Sequence, residues 1–500
     1  MGRPSQHRTG LAAAVRAEAI RTRCPSRDAT IRLVTTTPPD DFALAARSTP
    51  LARFVLDEID KAPGDTSETR RITFAHFMAL ALGHPVHGYY SRADLAWGAR
   101  GDYETSPEVH PIFGYLWARQ VEECWERLDR PASFDLVEVG AGSGAFSTAM
   151  LTWLRARAPE CFAAVRPVLL DGHPNRLAAQ RATLEAAGLT AEHALLDHWL
   201  DRPGRITGVV ISNEFFDALP VHLVTRHGEE LREWYVARAG SPPTPALPHG
   251  GGGGLNGRGE GTLTGPIPSA SALSASAPSL SVPSPLVGEG EGGGFPLPPD
   301  PDTLVLIEGD PSTPALAAHF AHLGVTPGDG ARAEVGLASF EAMRRIAAKV
   351  ERGYVLTIDY GYEARDLYAS WRREGTLMAF RSHSPVPDPL SEPGRTDLTY
   401  HVDLTSLAAA ALATGDGWHA APPTSQAEAL TVLGLPDALR AAESRAAEDA
   451  LRFLADRRAA ETLTDPTALG RIRVLALARH ADLDGLACLR SVAEMYGRTE

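Results

Sequence analysis

Two short clusters of glycines and acids carry most of the chemistry legible in this chain. The first is Glu138-Val139-Gly140-Ala141-Gly142-Ser143-Gly144, which follows the apolar run Phe134-Asp135-Leu136-Val137 and leads into a helical pattern at Ala145. Glycines at alternate positions let a backbone turn sharply and let a ligand approach without meeting a Cβ. A strand–helix turn that binds a nucleotide is built this way. Gly140-x-Gly142-x-x-Ala145 also satisfies the looser dinucleotide fingerprint, and a tight turn with no ligand is the bland alternative. Glu138 discriminates between the ligands. A carboxylate at the turn repels a pyrophosphate, but it suits the ammonium and the sulfonium of S-adenosylmethionine. The motif therefore favours S-adenosylmethionine as cofactor.

The second cluster is Asn213-Glu214-Phe215-Phe216-Asp217-Ala218-Leu219-Pro220, after the apolar run 206–212. In a doubly wound sheet the carboxyl end of that strand lies beside the first, where ligands sit. Asn213 offers a carbonyl oxygen to a bound amine. Glu214 and Asp217 offer negative charge, and Phe215 and Phe216 could stack a planar cation. The alternative gives both rings to the core and makes Asp217 a helix cap. Asp171 ends Val168-Leu169-Leu170-Asp171, where a carboxylate accepts ribose hydroxyls; a turn aspartate is the other reading. Asp197-His198-Trp199 follows the next strand, where a polar group would meet the adenine amine and an aromatic its face. The four cysteines, Cys24, Cys124, Cys161 and Cys488, form no Cys-x-x-Cys pair. No metal site and no disulfide framework are expected, which fits a reducing compartment.

These residues need a frame. Alternating patterns predict strands at 134–139, 166–171, 192–196, 206–212 and 354–359, with helices at 144–157 and 175–187. The fold class is α/β, with a doubly wound Rossmann-like sheet. Antiparallel pieces at 221–226 and 231–237 follow the fourth strand. Residues 51–132 read as a helical N-terminal region with a Gly/Tyr/Asp-rich loop, closed by a helix from Pro111 to Arg127. Residues 133–239 and 301–435 form the sheet domain. Between them, 240–300 is rich in Gly, Pro and Ser and cannot bury enough apolar surface to offset its chain entropy. It reads as a disordered insertion, because Trp234-Tyr235-Val236 leads directly to Leu304-Val305-Leu306-Ile307 as neighbouring strands. A loop-rich stretch at 375–403 precedes helices at 403–413 and 424–434. Residues 436–479 read as Ala/Leu/Arg helix without visible chemistry, inside a C-terminal helical region 436–500.

A chain of 500 residues allows two or three domains and a large core. Its formal net charge of −14 excludes a sequence-independent grip on nucleic acid or anionic lipid. No run of 18 apolar residues is present, so no membrane span is expected. The first 27 residues hold Arg3, Arg8, Arg16, Arg21, Arg23 and Arg27 against Glu18 alone, the composition of a mitochondrial presequence. An upstream extension without function is the preferred reading, with 1–50 disordered. The expected location is the cytoplasm of a bacterium, with the mitochondrial matrix as the alternative.

Taken together, several stretches resemble the MidA family of class I methyltransferases, which includes a mitochondrial arginine methyltransferase of complex I assembly. They are His87-Gly88-Tyr89-Tyr90, Gly101-Asp102-Tyr103-Glu104-Thr105-Ser106-Pro107-Glu108, Glu138–Gly144 and Asn213–Val221. Further on come Ile358-Asp359-Tyr360-Gly361, Pro393-Gly394-Arg395-Thr396-Asp397-Leu398-Thr399 and His401-Val402-Asp403. The chain departs from the family at Ser143, usually arginine, at Asp171, usually glutamate, and in the 240–300 insertion. The resemblance implies a class I methyltransferase sheet with additional C-terminal helices and methyl transfer from S-adenosylmethionine. It implies a protein substrate with an arginine acceptor, such as a complex I subunit. On this reading Gly101, Glu138, Gly140, Gly142, Gly144, Asp171, Asp197 and Asn213 serve the cofactor. Glu214, Asp217, Asp359 and His401 serve the acceptor and its proton, His401 being otherwise a structural histidine. A cofactor-binding assembly factor without turnover and a small-molecule methyltransferase remain as alternatives.

Overall fold

Strands buried on both faces read as near-continuous apolar runs, and the centre of this molecule is built from them. The computed structural model describes residues 49–64, 69–92, 105–239, 302–382, 384–446 and 449–495. Residues 1–48 and the 240–300 insertion lie outside them.

Seven strands form the spine of an eight-stranded sheet: β1 (Phe134–Val139), β2 (Val165–Asp171), β3 (Glu192–Leu195), β4 (Ile206–Asn213), β5 (Val350–Asp359), β6 (Trp418–Ala420) and β7 (Arg473–Arg479). Their spatial order is β6-β7-β5-β4-β1-β2-β3. The five strands from β3 to β5 run parallel, and β7 lies antiparallel against β5, with Tyr354 opposite Ala478. Sequence order reverses between β1 and β4, so the carboxyl ends of these two strands form the switch point of a doubly wound sheet.

Successive side chains of a strand point to opposite faces, and each face of this sheet is covered. Val137 and Val139 of β1 pack into one core with the helices Phe74–Gly83, Leu337–Lys349 and Leu404–Leu412. Phe134 and Leu136 pack into the other with the helices Ile112–Arg127, Ala145–Arg157 and Ala450–Thr464. A second, antiparallel sheet joins Ile72–Thr73, Glu230–Arg238, His222–His227, Arg332–Val335 and Leu304–Gly309. In it Tyr235 faces Ile307 and Arg238 faces Leu304, the neighbour relation expected across the insertion.

One expectation fails. The stretch 436–479 is not continuous helix: helices at Leu435–Glu443 and Ala450–Thr464 are followed by β7. Arg473-Val-Leu-Ala-Leu-Ala-Arg479 is rich in helix formers and lacks polar alternation, because Val474 to Ala478 are buried on both faces. A buried central strand of this composition carries no periodic signal that separates it from helix. The C-terminal segment therefore supplies a strand to the main sheet as well as helices. No helix among the described residues is long and apolar enough to cross a membrane.

Candidate functional site

Where β1 ends, the chain turns through three glycines with left-handed backbone, Gly140 at φ 72°, Gly142 at 52° and Gly144 at 82°. At Gly140 space also requires glycine, since a Cβ would lie 2.8 Å from Cδ2 of Phe215. Gly144 then caps the helix Ala145–Arg157. Glu138 is almost fully buried beneath this turn; its Oε2 accepts the Ser147 backbone N–H at 3.1 Å and the Ser147 hydroxyl. Burial, with repulsion from Asp171 and Glu108, pushes its carboxyl up to about 8. At the end of β2, Asp171 accepts the Gly142 N–H at 3.1 Å through Oδ2 and the His173 N–H at 3.2 Å through Oδ1. Burial raises it to about 6.

The end of β4 brings the second cluster to the same place. Asn213 closes the strand; its Oδ1 is buried without a partner, and its Nδ2 donates to Oε1 of Glu214 at 3.0 Å. Glu214 holds φ 49°, an uncommon backbone for a side chain of this kind. Its amide donates to the Ile358 carbonyl at 2.8 Å, and its Oε1 accepts the Ser106 N–H at 3.3 Å. Such strain persists only where the surroundings over-determine it and concentrates at functional sites. Burial, then the Asp217 charge, raises Glu214 to about 8. Asp217 accepts the Thr399 hydroxyl at 2.9 Å and is raised by burial to about 6.

Glu138, Gly140, Gly142, Asp171, Asn213, Glu214, Asp217 and His401 all line one cavity of about 510 Å³. Residues that sequence reasoning left without a role join them. Asp397 comes from the strand Asp397–Thr399 and accepts the Tyr90 hydroxyl at 3.1 Å. Glu108 lies against Ser143, the position where the family usually has arginine, and Arg176 and Arg471 are the cations of the lining. Asp397 stood in a matching stretch without an assignment. Arg471 stood in the segment read as featureless helix, so nothing in its sequence context pointed to the site.

Three expected residues stand elsewhere or act differently. Asp197 is exposed on the helix Leu196–Asp201 and pairs with Arg345 at 2.5 Å, away from the cavity lining. The chain turns into that helix directly after Leu195, which carries Asp197 outward, and Trp199 goes to the core. Asp359 is fully buried behind the 214–216 turn and is absent from the lining. Burial, with repulsion from Asp217, holds it well above the usual carboxylate range. His401 does line the cavity, but burial and then the charge of Arg471 lower its imidazole to about 3. It is neutral and a weak base, and its Nδ1 has no hydrogen-bond partner. Gly101 lies outside the described residues.

These groups fit S-adenosylmethionine. The glycine turn leaves its backbone open to the ligand, Asn213 Oδ1 lacks a donor, and buried Glu138 has no cationic partner among the described residues. A doubly wound sheet with an acid-lined glycine turn at its switch point defines a class I S-adenosylmethionine-dependent methyltransferase. Residues 116–424 match a family model described as a putative S-adenosyl-L-methionine-dependent methyltransferase. The match covers more than half of the chain, which belongs to this family, the MidA methyltransferases. A structure from Burkholderia thailandensis bound to S-adenosyl-homocysteine superposes with a TM-score of 0.67 at 26% identity, over 91% of this chain and 97% of that one. The human mitochondrial protein arginine methyltransferase NDUFAF7 is 28% identical over 213 residues, 38% of this chain and 45% of its own. Its Drosophila melanogaster homolog is 30% identical over 169 residues, 31% of this chain and 38% of that protein. The chain thus spans less than half the length of the curated relatives it matches.

Proposed function

We propose that the protein transfers a methyl group from S-adenosylmethionine to an arginine of a protein substrate. The observation that carries this reading is the convergence of Glu214, Asp217 and Asp397 on the cavity that the glycine turn opens into. Three carboxylates in a partly enclosed site are costly to keep ionised unless a cation shares it. A guanidinium is such a cation, and its planar fork matches carboxylates in pairs. The arginine specificity of the mitochondrial relatives points the same way.

Bound at the turn, S-adenosylmethionine supplies a sulfonium methyl open to displacement. Glu138 and Asn213 Oδ1 suit its ammonium, and Asp171 suits its ribose hydroxyls. Glu214 and Asp217 hold the acceptor in line with the methyl, the alignment that contributes most to a displacement of this type. The acceptor must also lose a proton. Glu214, raised to about 8, is basic for a carboxylate and lines the cavity, so it is the group placed to take that proton. Asp359 acts at one remove, through the backbone of the 214–216 turn.

Incubation of the purified protein with methyl-labelled S-adenosylmethionine and cell lysate tests this. Label in a protein band that yields methylarginine on hydrolysis is the expected result. Label in a small metabolite, or no transfer at all, would return the function to one of the two alternatives.

A further inference from the structure

The cavity lining carries both signs, with Arg176 near Asp171 and Arg471 near Tyr360 as its arginines. Around the glycine turn and the end of β4 its lining is acidic, with Glu108, Glu138, Asp171, Glu214, Asp217 and Asp397. The same lining also holds Tyr360, Thr376, His401, Thr467, Ala468 and Arg471. The Tyr360 hydroxyl feels the negative charge of Glu214, Asp217 and Asp359 and the positive charge of Arg471.

Exposed Arg471 leaves the short turn Leu469–Arg471 and donates to the Tyr362 hydroxyl at 2.7 Å. Arg372 stacks on the Tyr362 ring, its guanidinium carbon 4.8 Å from the ring centroid. Among the described residues neither arginine is paired with a carboxylate side chain. Asp465, in the same segment as Arg471, is turned onto the Thr467 N–H at 2.8 Å and its hydroxyl at 2.7 Å. Neutral His401 lies against Tyr362, with ring centroids 5.2 Å apart, and its Nδ1 is buried without a partner. Arg471 in the cavity lining, with Arg372 behind it on Tyr362 and the buried His401 Nδ1 without a partner, describes a subsite for an anion.

We propose that this subsite recognises an acidic side chain of the substrate protein, close in sequence to the acceptor arginine. The inference rests on the arginine reading above and extends it. The arginine enters the acidic throat, and an Asp or Glu nearby on the same segment pairs with Arg471, with Arg372 behind it. His401 Nδ1, which has no partner in the protein, pairs with a main-chain group of the segment between them. The charge pattern of the cavity is thereby matched by a substrate of opposite polarity, which is how charge sets register and specificity at a binding site.

The test uses amidated peptides with one arginine and a single Glu walked along the neighbouring positions, each paired with its Gln counterpart. For the preferred position the wild-type protein should show a KM about fivefold lower for Glu than for Gln, the size expected of a partly exposed charge pair. In Arg471→Gln the two peptides should become equivalent, and in Arg471→Glu the preference should invert toward a Lys counterpart. Equal KM values for the Glu and Gln peptides throughout, with arginine methylated in both, would overturn the subsite and leave the arginine reading standing. A Glu preference that survives in Arg471→Gln would likewise remove the role of this residue. Calorimetry with S-adenosyl-homocysteine present covers the remaining case. If no peptide is methylated and none binds, both the arginine reading and the subsite fall.

Discussion

Asp359 holds the Phe216 backbone N–H at 2.8 Å, and the same Oδ2 accepts the Phe215 N–H at 3.2 Å. A carboxyl on the strand next to β4 thus fixes the turn that carries Glu214 and Asp217, although it never reaches the cavity. In the proposed reaction it is a positioning residue.

Asp359→Ala leaves two amides of that turn without their acceptor, at a cost of about 1–3 kcal/mol for each donor left buried. Asp359→Asn keeps an oxygen in the same place. Methyl transfer and melting temperature should both fall in the alanine variant and recover in the asparagine variant to within about threefold and a few degrees. Loss of transfer in Asp359→Asn with an intact fold would make Asp359 a proton-transfer group instead.

The flanks of the insertion give a second expectation. Arg238 and Leu304 face each other in register, and the Ala239 N–H donates to the Thr303 carbonyl at 2.7 Å. Chain ends this close can be joined by a hairpin loop of about five residues, and loop length changes closure entropy only slowly, by about 0.6 kcal/mol per doubling. Replacing 241–300 by Asn-Gly should leave the melting temperature within about 2 °C and S-adenosyl-homocysteine binding intact. A drop several times larger in a thermal scan would show that the segment packs on the rest of the protein.

A third prediction concerns pH. Burial raises Glu138 and Glu214 from 4.5 to about 8, and Asp171 and Asp217 from 3.8 to about 6. Between these values the folded protein keeps protons that the unfolded chain has released. Stability without ligand therefore falls as pH rises from about 4.5 to about 8. The melting temperature should drop by about 2 °C or more from pH 5 to pH 8, and the drop should shrink in Glu214→Gln. An identical pH profile in that variant would show that Glu214 does not hold its proton in the folded state.

Much of this was legible in the chain. Gly140, Gly142, Gly144, Glu138 and Asp171 announced a strand, a turn and a ligand together, because turn chemistry and strand burial are local. Asn213–Asp217 was found for the same reason. Asp197 was misplaced because three residues after a strand end can leave in any direction, and here a helix starts at once. Asp359 carried the right type but lay one layer too deep, a matter of which face of β5 its carboxyl joins. Arg471 and β7 were invisible, since they reach the site by a long return of the chain to the sheet edge.

The central claim is that the acidic throat holds a cationic acceptor, and Glu214→Gln tests it most directly. The substitution keeps shape and removes one charge. Titration calorimetry with S-adenosyl-homocysteine should give nearly normal affinity, while single-turnover methyl transfer to an arginine peptide falls at least about tenfold, or 1.4 kcal/mol of transition-state stabilisation. Unchanged transfer in both Glu214→Gln and Asp217→Asn would contradict the account and leave these carboxylates as structural groups.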